Sequence, residues 1–182
     1  MNGKLLNSKL VREAYFFADM KHSGQKRKFT TEDYIIHPVR VFFIVDEMMQ
    51  NEVLSAAAIL HDTIEDTDAT PFELQVNFGQ PVANLVLELS INPILKRLQG
   101  KRSYLVEAIN NMSDDALFIK LADRLDNVLD LSKESIGEKF REYYIKETKH
   151  VFFDRMERQF LNQLHKNLLE RLNIAIMLLE QI

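Results

Sequence analysis

The sequence predicts an all-α protein, a single compact multi-helix domain spanning residues 1–182. Three observations carry that expectation. Apolar residues recur at three- and four-residue spacing along most of the chain. No stretch alternates apolar and polar residues in the manner of a half-buried strand. Helix start and stop residues punctuate the periodic segments one after another, with no internal repeat or low-complexity tract between them.

Taken in order, Leu10, Ala14, Phe17 and Ala18 share one face of a first helix that stops near Gly24. A polar, basic loop follows, "GQKRKFTTEDY". The next helix opens at "IIHPVRVFF", where Pro38 suits a first helical position because no N–H is needed there; His37 then stands at the helix mouth. "NEVLSAAAILHDTIED" reads as one helix, apolar nearly all round, and Ala56, Ala57 and Ala58 let neighbours approach closely, which puts it at the centre of the fold. "TPFELQVNFG" carries a full set of signals: Thr70 as cap, Pro71 in the first turn, Glu73 closing a capping box and Gly79 ending the helix. Pro81 starts another. After "INPILKRLQGKRSY" a polar helix runs to about Met112, and Ser113 and Asp114 cap "DALFIKLADRLDNVLDL". From about Glu138 the chain reads as two long helices, with Leu161, Leu164, Leu168, Leu172, Ala175 and Leu179 forming a stripe. That stripe suits a core and is compatible with a homo-oligomeric contact.

Composition narrows the function. Hydrophobic residues make up 46% and charged residues 27% of the chain, a globular balance. A formal net charge of −4 with no dominant basic stripe argues against nucleic acid or an acidic membrane as the main partner. There is no cysteine, so neither disulfides nor thiolate metal sites arise, which fits a reducing compartment. The segment "MNGKLLNSKLVREAYFF" has charges throughout and lacks the apolar block of a signal peptide, and no apolar run approaches the roughly 20 residues that span a bilayer. The expectation is a soluble, cytoplasmic protein.

One segment conflicts with a purely structural role. "AAAILHDTIEDTDAT" begins as core and then places His61, Asp62, Glu65, Asp66 and Asp68 close together. Ionised carboxylates cannot be buried without something that neutralises them. On a helix His61 and Asp62 reach one cavity side by side, and Glu65 and Asp66 follow each of them by four positions, one turn on. His37 and Asp123, the latter an acid within the core-like "LFIKLADRLDNV", have the look of further ligands. Two imidazoles and two carboxylates suit manganese, iron, nickel or zinc better than calcium.

Together these residues resemble the H…HD…D pattern of the HD-domain metal-dependent phosphohydrolases. The closer similarity is to the hydrolase domain of the RelA/SpoT alarmone enzymes: "RKFTTEDYIIHP", "ILHDTIEDT" and "KLADRLDN" match its segments in order and spacing, from about Ala14 to Leu131. The length is most similar to the small, stand-alone hydrolases of the metazoan SpoT-homologue type. The resemblance implies an all-α HD-domain bundle and an enzyme that hydrolyses the 3′-diphosphate of guanosine tetra- or pentaphosphate to pyrophosphate plus GDP or GTP. It implies a divalent cofactor, manganese first, on His37, His61, Asp62 and Asp123, with Glu65 and Asp66 as the catalytic pair. It also implies nucleotide contacts from Arg27, Lys28 and Asn127, with Lys101, Arg102 and Tyr143 more loosely matched, while Thr67, at the mouth of the same site, is placed to hydrogen-bond phosphate.

Two departures touch the nucleotide pocket: residue 126 is Asp where relatives usually carry His or Tyr, and the loop before His37 keeps only Tyr34 of a Gly-x-Pro-Tyr arrangement. They admit another phosphorylated nucleotide, such as NADPH, as substrate. A non-catalytic nucleotide sensor is the reading from a different class. Each residue also has a plainer role taken singly: His37 as a helix cap, His61-Asp62 as a buried hydrogen-bonded pair, Asp123 paired with Lys120 or Arg124, Glu65-Asp66 as a solvated helix end, and Arg27-Lys28 as a solvated loop.

Overall fold

Ser8 opens the first described helix: its hydroxyl accepts from the Val11 N–H, and helix α1 runs over Lys9–Lys21. The computed structural model describes residues 8–133, 135–158 and 161–181, so the reading of the N-terminal segment 1–7 lies outside them. Among the described residues the secondary structure is helical apart from an isolated bridge between Lys26 and Asp33. No described helix is long and apolar enough to cross a membrane. The chain divides into two compact units, one ending at Ser90 and the other beginning at Ile91.

In the first unit, α1 buries Val11, Ala14 and Ala18, while the predicted face residues Leu10 and Phe17 are only half-buried. The turn after α1 needs a left-handed residue, and Gly24 supplies it at φ 78. Helix α2 covers Ile36–Met48. It starts two residues before Pro38, which stands inside the first turn and not at its first position. The orphan N–H groups of that turn make proline harmless there, and His37, the second residue of the helix, stands at its mouth with its side chain buried (1% exposed). Helix α3, Glu52–Leu60, is capped by the Asn51 side chain and buried without interruption from Leu54 to Leu60. Helices α1, α2 and the later α6 pack against it, as a small-residue centre allows.

The expected single helix through Asp66 is corrected here. Helix α3 stops at Leu60, His61 and Asp62 form a turn, and a one-turn α4 covers Thr63–Asp66. The cause is local: the His61 imidazole donates to the Ala58 carbonyl (2.8 Å) and the Thr63 hydroxyl to the Leu60 carbonyl (2.7 Å). Side chains thus take carbonyls that a continuing helix would give to its own N–H groups. Helix α5, Pro71–Phe78, has the predicted capping box between Thr70 and Glu73, and α6 follows over Gln80–Leu89 beyond Gly79 at φ 83.

The second unit begins with a short helix, α7 over Pro93–Gln99, capped by Asn92, in a segment that carries no expectation from its periodicity. Helix α8 covers Lys101–Asn111 and α9 Asp114–Asp130, the latter capped by Ser113 as expected. Every residue of α9 from Ala116 to Asp126 is buried, charged ones included. Helix α10, Glu138–Lys149, passes into a π-helical turn, His150–Asp154. Helix α11 spans Gln163–Leu179 behind an Asn162 cap, so Leu161 precedes the helix while Leu168, Leu172, Ala175 and Leu179 carry the buried stripe against α9.

Candidate metal and acid/base site

The carbonyl of Ala58 can only accept, so its contact with His61 Nδ1 places a ring proton on that nitrogen and leaves Nε2 as the ring atom that faces Asp62. That Nε2 lies 3.0 Å from Asp62 Oδ2, and His37 Nε2 lies 3.6 Å from the same oxygen. The two imidazoles meet edge to face with centroids 5.2 Å apart. A lone pair and a carboxylate oxygen at 3.0 Å repel unless a proton or a metal ion sits with them. The first unit therefore brings His37, His61 and Asp62 together in the manner of a mixed nitrogen/oxygen donor set, with His61 oriented by a backbone carbonyl as metal-ligating histidines usually are. His37, His61 and Asp123 are each buried, and each carries a donor atom of a kind that binds divalent metal ions.

The acids beyond the turn differ in setting. Asp66 keeps an accessible face, yet surrounding atoms desolvate its carboxyl and raise it above the ordinary range; the neighbouring Asp62 charge adds to this and the Tyr34 hydroxyl opposes it. Tyr34 donates its O–H at 2.6 Å to Asp62 Oδ2 and lies 3.1 Å from Asp66 Oδ2. Glu65 is exposed. Thr67 closes the α4 turn, its hydroxyl donating to the Thr63 carbonyl and accepting from the Ala69 N–H. In the preceding loop, Arg27 places its guanidinium 5.7 Å above the Tyr34 ring and Lys28 its ammonium 5.2 Å from the Phe29 ring.

In the second unit Asp123 is 6% exposed and receives Lys120 Nζ at 2.9 Å on one oxygen and the Asn127 amide on the other. The pairing with Lys120 entertained from sequence is therefore present, and Asn127 shares its helical face with Asp123 as the spacing indicated. Asp126 is buried. Tyr143 stands under the cations of Lys101 and Arg102 and donates to Glu147 Oε2 at 3.0 Å. Glu147, wholly buried, also meets Lys101 at 2.9 Å and Arg124 at 3.6 Å.

Sequence reasoning passed over Tyr34 as a site component, together with the residues behind it. His22 stacks on the Tyr34 ring at 4.7 Å and contacts Gln25, whose amide donates to the Asp66 carbonyl. It also passed over Glu147. The surviving tyrosine three residues before His37 was the one available signal for the first group; the second had none.

The HD-domain family model matches residues 14–154. The guanosine-3′,5′-bis(diphosphate) 3′-pyrophosphohydrolase of Homo sapiens is 40% identical over 124 residues, 66% of this chain and 69% of its own. The protein of the same name in Xenopus tropicalis is 38% identical over 127 residues, 68% and 70%. That of Aquifex aeolicus is 38% identical over 144 residues, 78% of this chain, which spans about a fifth (20%) of that relative's length. Among solved structures, a metazoan ortholog of SpoT that hydrolyses ppGpp is similar at a TM-score of 0.78 and 31% identity, over 92% of this chain and 96% of its own.

Proposed function

Because this chain belongs to the HD-domain family, we propose that it hydrolyses the 3′-diphosphate of guanosine tetra- or pentaphosphate, releasing pyrophosphate and GDP or GTP. The observation that supports this most directly is the convergence of His37 Nε2 and His61 Nε2 on Asp62 Oδ2, with the His61 ring oriented by Ala58. Relatives of about 40% identity bear the name of this activity.

In this reading His37, His61, Asp62 and Asp123 hold a divalent ion, manganese in the first instance, and residues 1–182 act as one catalytic domain. When bound, the ion supplies Lewis acidity toward water and phosphoryl oxygen. The protein's own groups do the rest. Glu65 and Asp66 orient the attacking water and take its proton; the raised Asp66 carboxyl, nearer to neutral than an ordinary aspartate, is suited to give a proton back. Water attacks the phosphorus bonded to the ribose 3′-oxygen, the P–O3′ bond breaks, and the returned proton leaves a 3′-hydroxyl on GDP or GTP. Arg27, Lys28, Thr67, Asn127 and Tyr143 contact the nucleotide. A chain without cysteine fits the reducing cytoplasm.

The test mixes metal-stripped protein with manganese and guanosine tetraphosphate and follows pyrophosphate and GDP. Equal, metal-dependent release of both is expected. A folded, manganese-bound protein that leaves this substrate intact overturns the proposal; orthophosphate released from NADPH would then redirect it.

A further inference from the structure

Tyr34 is held at three levels. Its backbone N–H donates to the Gln25 carbonyl, and its own carbonyl accepts the His37 N–H at 3.0 Å, so it helps start the helix that carries His37. Its ring is stacked on His22, lies beneath Arg27 and meets the edge of His37 at 6.1 Å. Its hydroxyl sits between two carboxylates, 2.6 Å from Asp62 Oδ2 and 3.1 Å from Asp66 Oδ2. A phenol has one O–H to give, so a single donor fixes the relation of two acids that would otherwise repel across one turn of chain.

We infer that Tyr34 is a positioning residue: through its hydroxyl it couples the Asp62 carboxylate to the Asp66 carboxylate, and through its backbone it couples both to His37. This rests on the roles proposed above for Asp62 and Asp66. The phenol touches neither water nor phosphate in this scheme. It acts by presenting one acid to the metal and the other to the reacting water in a fixed mutual orientation. Partners that orient the groups of a metal site in this way typically change metal affinity or turnover by roughly 10–100-fold when removed.

The variant that isolates the hydroxyl is Tyr34→Phe, which keeps the ring and therefore the His22 and Arg27 contacts. Manganese binding to the metal-free protein is measured by titration calorimetry, and turnover of guanosine tetraphosphate is measured at saturating manganese. The expected result is manganese affinity weakened by roughly tenfold, kcat lowered by roughly tenfold, and KM within about twofold of wild type. Tyr34→Leu, which also removes the ring, is the comparison for folding: metal-free Tyr34→Phe should stay folded with at most a small loss of stability, whereas metal-free Tyr34→Leu should lose clearly more. Manganese affinity of Tyr34→Phe within about twofold of wild type overturns the inference, on the same scale. So does weaker binding that comes with an equal loss of the metal-free fold. If the wild type leaves guanosine tetraphosphate intact, the substrate reading falls, and the manganese comparison still decides the role of Tyr34.

Discussion

Lys120 and Asp123 stand three residues apart on α9 with their charges 2.9 Å from each other and both side chains about nine-tenths buried. An ammonium this close compensates the carboxylate in the metal-free protein. Lys120→Met keeps the bulk and removes the charge beside a buried acid, the change that costs most in buried pairs. The metal-free variant should lose about 3 kcal/mol of stability. If Asp123 is a ligand, manganese should then stabilise the variant more than it stabilises wild type. Urea unfolding with and without manganese checks both; equal stabilisation of the two proteins counts against Asp123 as a ligand.

Glu147 makes a second buried centre of charge. Burial alone would raise its carboxyl, but the bond from Lys101, the Lys101 and Arg124 charges and the Tyr143 hydroxyl outweigh burial, and the net direction is down. A carboxylate lowered in the folded state contributes stability above its ordinary value and loses it as pH falls through the folded one. Glu147→Gln should therefore cost about 3 kcal/mol at neutral pH. The gap between variant and wild type should narrow only below the ordinary glutamate range, about pH 4.5. Denaturant midpoints across pH 3–7, roughly the span of that titration, test the sign; a gap that widens in acid contradicts it.

What was legible in the sequence follows from where the physics is local. The Thr70-to-Gly79 helix and the Ser113 cap were readable because capping residues act on N–H groups two or three positions away. The break at His61 was not readable. "ILHDTIED" keeps helical periodicity with no glycine or proline, and the turn is made by His61 and Thr63 side chains competing for the Ala58 and Leu60 carbonyls. The proposed donor residues stood out by their spacing and family resemblance. Their surroundings were not: Tyr34 reaches Asp62 across 28 positions and Lys101 reaches Glu147 across 46. The proposed nucleotide contacts were the least legible, since Thr67, Asn127 and Tyr143 each spend polar groups on bonds within the protein.

Asp62 tests the metal reading most directly. Asp62→Asn removes the charge on which both imidazoles converge while keeping the shape. A neutral amide is a poor substitute for a carboxylate toward a divalent ion. Manganese affinity should fall by well over tenfold, on the scale of losing a ligand rather than its support. Turnover should vanish at a metal concentration that saturates wild type. Calorimetric titration of the metal-free variant reads the first, and retained wild-type affinity would remove Asp62 from the ligand set.

Asp66 sets function against stability. Its carboxyl is raised because packed protein atoms desolvate it and because Asp62 lies near, so in the folded protein the ionised form is disfavoured relative to the unfolded chain. A carboxyl raised on folding contributes stability at low pH and loses it as pH climbs from the unfolded value through the folded one. At neutral pH the metal-free protein therefore carries a strained charge, and Asp66→Asn should make it more stable, with the difference vanishing in acid below the ordinary aspartate range. If Asp66 is the proton acceptor of the proposed reaction, the same substitution should lower kcat by a factor on the order of 100 or more. Thermal unfolding of metal-free protein at pH 7, alongside steady-state turnover, separates the two effects. A variant that is both less stable at neutral pH and fully active would show that Asp66 is neither strained nor catalytic.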